Sequence, residues 1–328
     1  MARNATIGSG GASPNYSTIA LWEASIDRAS NGDETGTIVE NKDFAEAVVI
    51  NAATNGTDRI VLTVDDAYTH DGTKDSGART KKTSGNYIFD VNTDYVTIEK
   101  LQIELTVTAD RGVIDLQAAD NGILISRCIL IGGNNYSFGF YCRGVPSGEE
   151  VNVANCVAWE CSVGFRIRET NGGNVYASYC SAFNCTTGIG FIGGASGTNH
   201  ANGCVALGNT DDWLDTTVGA TVTGDYNISG AASDAACPGA NSDKGNETAA
   251  SYFVDVTDDT DPDLHKNSSK DGSLDGGPSS GLGTYWPGGD IDGDTRSDWD
   301  IGADEIVGAA TAGFVPHRNV YRQHALRR

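Results

Sequence analysis

Basic residues are scarce in this 328-residue chain: 22 Lys and Arg stand against 44 Asp and Glu, for a formal net charge of −22 at pH 7. Such an acidic body repels phosphates, which excludes a general nucleic-acid role. No stretch approaches the ~20 apolar residues that a membrane-spanning helix needs, so no membrane role is expected. The opening Met-Ala-Arg-Asn-Ala-Thr-Ile-Gly-Ser-Gly-Gly has no apolar core segment, so the expectation is synthesis in a cytoplasm without a signal peptide. No Cys-x-x-Cys and no His-Glu-x-x-His occurs, which removes the commonest zinc signatures. The five His, at 70, 200, 265, 317 and 324, pattern no pair on one element. Charged residues make up 20% and hydrophobic residues 39%, with 42 Gly. That balance fits many short strands joined by turns around a thin core. Apolar and aromatic residues recur throughout, which excludes disorder of the whole chain.

What the chain does have is a period. Cys128, Cys156, Cys180 and Cys204 follow one another at spacings of 28, 24 and 24, and Leu101 holds the same place 27 residues before the first. A second column runs through Cys161, Cys185 and Asn209. A fixed period in this range, in short β-rich segments, marks a solenoid. One strand series begins near Tyr87, Gly112, Gly139, Gly164 and Gly188, and another near Val96, Ile123, Val151, Val175 and Asn199. Each turn therefore holds at least two strands. Alternation points Phe140, Cys142, Phe165, Ile167, Ile189 and Phe191 inward, and Tyr141, Arg143, Arg166 and Arg168 outward. The eight cysteines read as buried thiols in a reducing compartment, the columns stacked in the core.

These observations predict an all-β fold: a single parallel β-helix of about seven coils, with an N-terminal helical cap and a C-terminal cap plus tail. Ser17 is a candidate cap for a helix from Thr18 to about Arg28 with Ile19, Trp22 and Ile26 on one face. The expected organisation is an N-terminal arm and capping helix over residues 1–36, the β-helix over 37–230, C-terminal coils and cap over 231–305, and a basic tail over 306–328. Residues 66–85 read as a polar excursion from a coil. Asp300-Ile-Gly-Ala-Asp-Glu305 is expected to close the end.

The cysteine coils resemble right-handed parallel β-helix repeat proteins. So do Tyr252-Phe-Val-Asp255, Asp263-Leu-His265, Asp290-x-Asp-Gly-Asp-x-Arg296 and Asp300–Glu305, which are similar to the way many of that group end. Tyr16-Ser-Thr-Ile-Ala-Leu-Trp-Glu23 is similar to segments that begin β-helix proteins of phages and bacteria. The resemblance covers most of residues 15–305 and implies the fold, its right-handed sense included. The fold hosts lyases, hydrolases, adhesins and virion proteins alike. By that analogy the leading expectation is a structural and adhesive virion protein, either a head-decoration or a tailspike-like attachment protein, located in the virion. The alternatives are a polysaccharide lyase or glycoside hydrolase acting on the exposed face, and a bacterial carbohydrate-binding surface protein.

Candidate chemistry is thin, which favours a non-catalytic role. Asp115, Tyr141, Arg143, Arg166, Arg168 and Glu169 are expected to share one exposed face. They read either as a polysaccharide site or as a solvated row of paired charges. No two or three Asp are evident on neighbouring coils of that face. Asp290, Asp292 and Asp294 have the spacing of the first ligands of a calcium loop, but no Glu stands twelfth, so an Asp/Gly turn competes with that reading. No other cofactor is expected. His200 lies four residues before Cys204, but stacked columns spread their donors along the axis and do not converge on zinc. The tail carries Phe314, Arg318, Tyr321, Arg322, Arg327 and Arg328. At +4 against −26 for the rest of the chain, it reads as a docking arm for a second copy or for viral particle proteins. A surface polysaccharide is the other expected partner.

Overall fold

The residue before each column cysteine turns the chain through a corner. Lys100, Arg127, Asn155, Tyr179, Gly203 and Tyr226 hold φ between 51° and 65°, a region that costs a non-glycine residue about 1–2 kcal/mol. A second corner repeats at Gly133, Glu160, Asn184 and Gly208, with φ between 51° and 70°. Between two such corners only a three- or four-residue strand fits, and this third strand is the one that alternation alone did not reveal. In the computed structural model, each full turn runs through three strands. Val96–Glu99, Gln102–Leu105 and Gly112–Leu116 make one turn; Ile123–Ser126, Ile129–Ile131 and Phe138–Cys142 make the next.

Stacked turns give a mostly-β parallel solenoid with three parallel sheets. Sheet A has nine strands, from Arg3–Ile7 to Thr221–Asp225. Sheet B has nine, from Asp43–Phe44 to Asp243–Lys244. Sheet C has seven, from Val48–Ile50 to Asp211–Thr216, so the solenoid makes about seven turns. The structure describes residues 3–304 except 10–13, 27–31, 52–57, 107–111, 118–120, 134–136, 169–171, 194–195, 218, 232–233, 246, 257–262, 268–281, 285–286, 288–289 and 293–300. Among the described residues no helix is long and apolar enough to cross a membrane.

Inward side chains of the three sheets form one continuous core, including Ile98, Ile125, Phe140, Phe165, Ile189 and Phe191. All four cysteines of the first column are fully buried, and all eight cysteines of the chain are buried free thiols. Burial pushes the Cys156 and Cys161 thiols well up from their ordinary range. Each column ends on an asparagine. Asn209 accepts from the Cys185 amide at 2.9 Å and donates to the Ala182 carbonyl. Asn227 accepts from the Cys204 amide at 2.9 Å and donates to the carbonyls of Ala201 and Pro238. The amide side chain thus continues the ladder where the next coil departs from the repeat.

Several expectations change. The N-terminal helix is six residues, Ile19–Ala24, capped by Thr18 rather than Ser17, so no extended helical cap forms. Its Trp22 is buried on Gly36, where a Cβ would come within 2.5 Å of the indole. The expected arm contains Arg3–Ile7, which pairs in parallel with Glu34–Ile38 as the first strand of sheet A. The excursion at 66–85 is shorter, because Arg79–Lys82 belongs to sheet B. Ile301–Asp304 does not close the end. Gly302 donates to the Gly203 carbonyl and Ala303 to Ser181 Oγ, on the flank of sheet B. Cys237 is buried and belongs to the core.

The outer face of sheet B is therefore covered. Its Ile129, Val157, Trp159, Val205 and Leu207 pack with Tyr252, Phe253, Ile291, Ile301 and Ala303 of a C-terminal strap. The loop before Arg79 covers the earlier turns: Lys74 Nζ lies 4.4 Å from the Trp159 ring, and the Asp75 amide donates to Gln102. Outer sheet A receives Thr284, which hydrogen-bonds both oxygens of Glu150.

Candidate functional site on sheet C

The outward positions of sheet C form a row of Cα partners on successive strands: Asp90, Asp115, Tyr141, Arg166, Gly190 and Leu214. Neighbouring strands lie about 4.8 Å apart. Arg143 and Arg168 follow two residues further along their strands, each bonded through its amide to the strand before. The structure places Asp115, Tyr141, Arg143, Arg166 and Arg168 on one face, but Asp115 and Tyr141 are buried there rather than exposed. Glu169 lies outside the described residues.

Asp90 is the member that sequence reasoning missed. Asp90 stands on the strand next to Asp115 and in register with it, so two carboxylates do lie on neighbouring coils of one face. The available signal was alternation: Phe89 and Val91 point into the core, which leaves Asp90 outside, 25 residues before Asp115.

Charges in this row are unevenly matched. Asp115 is fully buried and accepts from Arg143 Nε and Nη2 at 2.9 and 2.8 Å. Burial opposes the charge on Arg143, but the hydrogen bonds and charge of Asp115, with a contribution from Asp90, outweigh it and raise its pKa. Asp90 is 8% exposed, and its buried Oδ1 has no hydrogen-bond partner. Arg166 has no carboxylate partner among the described residues. Its guanidinium instead lies 4.3 Å from the Phe138 ring centre and 4.6 Å from that of Tyr141, and its Nε makes no hydrogen bond. Phe138 and Tyr141 meet edge to face at 5.1 Å, and Arg143 covers Tyr141 at 4.8 Å. Arg168 is exposed.

Chemically, this is a cation platform. Among the described residues neither Arg166 nor Arg168 has a carboxylate partner, and Arg166 stands on an aromatic base, in a protein of net charge −22. Asp90 and Asp115 have a strand spacing close to the ~5–5.5 Å of a retaining glycosidase pair. Asp115, however, is enclosed and committed to Arg143, so that pair does not present two open carboxylates.

The other candidates fall elsewhere. Asp290 is buried, Asp292 faces His265, and Asp294 lies outside the described residues. His200 stacks on Tyr176 at 4.3 Å on outer sheet A, whereas Cys204 is in the core. A recess near the last turn is lined by Asp211, Asp212, Asp234 and Glu247, and burial raises the Asp212 pKa. Its lining suits no anion. Phe314, Arg318, Tyr321, Arg322, Arg327 and Arg328 lie outside the described residues.

No protein-family model matches the chain, and no curated protein matches it. Among solved structures it is similar to the crystal structure of pectate lyase Pel9A, at 13% identity and a TM-score of 0.46, over 94% of this chain and 91% of that one. A likeness this distant says nothing of the chemistry.

Proposed function

We propose that the protein binds an acidic polysaccharide on the outer face of sheet C, with sugar carboxylates received by Arg166 and Arg168. The observation that carries this reading is the Arg166 guanidinium, stacked on Phe138 and Tyr141 with no carboxylate partner among the described residues. Arginine on an aromatic face is held in orientation while its donors stay free for a planar carboxylate. Sheet B is covered by the strap and sheet A bears Thr284, whereas on sheet C neither Arg166 nor Arg168 has a carboxylate partner among the described residues.

A second reading is cleavage of the bound chain by β-elimination. Elimination needs a cation at the sugar carboxylate and a proton-accepting group beside it. Asp90 stands three strands from Arg166, about 14 Å by strand spacing, too far to serve the same sugar. Tyr141 favours the reading instead, since its phenol lies under both Arg143 and Arg166. The expected place in a virus particle finds no support in the comparisons.

The test is equilibrium binding of an oligouronate and of its carboxyl-reduced, neutral counterpart. Binding of the acidic form alone, lost in Arg166→Ala, is the expected result. Equal binding of both forms, or no effect of Arg166→Ala, overturns the proposal. Release of unsaturated sugar ends, read by ultraviolet absorbance and abolished in Tyr141→Phe, promotes the second reading.

A further inference from the structure

The C-terminal strap contributes little regular structure of its own. Its described elements are Ala249–Tyr252, Phe253–Asp255 and Asp263–Lys266, the last two paired antiparallel. Three of its segments nevertheless converge on one imidazole. His265, Asp292 and Asp304 each present a ligand atom, and the three atoms lie within 4.8 Å of one another. Asp263 bonds His265 Nδ1 at 2.5 Å, while Nε2 faces Asp292 at 3.3 Å. Gly72 presses on the ring from the neighbouring loop, where a Cβ would come within 2.5 Å of two ring atoms. The ring is thus fixed in place with one nitrogen held by a carboxylate. Its other nitrogen faces Asp292, and Asp304, whose Oδ2 accepts from the Lys266 amide, belongs to the same cluster of ligand atoms.

That is the arrangement of a metal-binding histidine: an outer carboxylate sets the tautomer on one nitrogen, and the other nitrogen meets the ion. We propose that His265 Nε2, Asp292 and Asp304 hold a divalent transition metal of the zinc class, with Asp263 as the outer partner of the histidine. One imidazole and two carboxylates are the donors of such a site, whereas calcium calls for six to eight oxygens. Ligand bonds of about 2.0–2.2 Å place donor atoms roughly 3–4 Å apart, so rotation of the two Asp side chains closes the set. Water completes the coordination. Any proton on Nε2 leaves to solvent as the metal arrives. The Asp292 carboxylate is then used across the strap rather than within its own Asp-x-Asp-Gly-Asp run. The ion's role is to fasten the strap over the apolar face of sheet B, since it ties residues 263–265, 292 and 304 together beside the loop that carries Gly72.

The experiment uses the full chain, stripped with chelator and checked for native circular dichroism. It is titrated with Zn²⁺ and with Ca²⁺ by calorimetry, and Co²⁺ replaces Zn²⁺ for its visible absorption. The expected result is one Zn²⁺ per chain, a raised melting temperature and no comparable effect of Ca²⁺. Asp292→Asn should weaken Zn²⁺ binding at least tenfold, and Asp263→Asn, which removes no direct ligand, by about 10–100-fold. The Co²⁺ spectrum should change in His265→Gln. If that variant does not fold, the two Asp variants decide. Absence of Zn²⁺ binding to the folded chain overturns the proposal. So does binding whose affinity is the same in Asp292→Asn and Asp263→Asn as in the unaltered protein.

Discussion

Breaking the Asp115–Arg143 pair from its two ends should have unequal consequences. Asp115 is fully buried, whereas the Arg143 side chain retains 27% of its exposure. Arg143→Ala leaves a carboxylate enclosed, beside Asp90 and without its two charged hydrogen bonds. The cost of stranding a buried charge is about 3–5 kcal/mol. Asp115→Asn removes the buried charge, keeps an acceptor for one guanidinium N–H, and leaves an arginine that still reaches water and the Tyr141 ring. Its cost should be nearer 1–2 kcal/mol, the scale of a lost charged hydrogen bond. Urea unfolding at neutral pH measures both, and the double variant should recover part of the Arg143→Ala loss. Equal costs, or a larger cost for Asp115→Asn, would show that Asp115 is not enclosed as described and that Arg143 belongs among the ligand-binding groups.

Other consequences follow from the columns and the chain ends. Cys156→Ala should cost about 1 kcal/mol, because a small apolar group leaves a packed stack, and the native column thiols should resist a thiol reagent until the protein unfolds. Asn227→Ala strands one amide and two carbonyls that the structure pairs, at about 1–3 kcal/mol each when buried; urea unfolding should therefore show a far larger loss than for Cys156→Ala. Deleting residues 306–328 should leave the melting temperature nearly unchanged, since the strap already covers the last turns. A basic docking arm would then reveal itself as lost self-association or partner binding, measured by sedimentation at low salt.

The solenoid was legible because its core repeats. Cysteine at one corner, Gly-aromatic strands and alternation each follow from what a stacked turn must bury. The third strand was not legible, because residues such as Ser181-Ala-Phe183 are too short to show a period of two. They are fixed by left-handed corners at Tyr179 and Asn184, which no side-chain pattern announces. Long-range packing also lay beyond the pattern. Ile301 and Ala303 look like an end cap in sequence, but apolar residues on the outside of sheet B, such as Trp159 and Leu207, draw them to the flank. The arginines of the site were visible by alternation; Asp90 was overlooked because its strand is only three residues long. His265 joins Asp292 and Asp304 only through the path of the strap.

The most direct test of the account is a crystal structure of the protein with an oligouronate bound. The predicted result is a sugar carboxylate within hydrogen-bond distance of the Arg166 guanidinium on the outer face of sheet C, with Arg168 beside the chain and the Asp115–Arg143 pair intact. A sugar chain seated elsewhere, such as the acidic recess near Asp212, with Arg166 untouched, would contradict it.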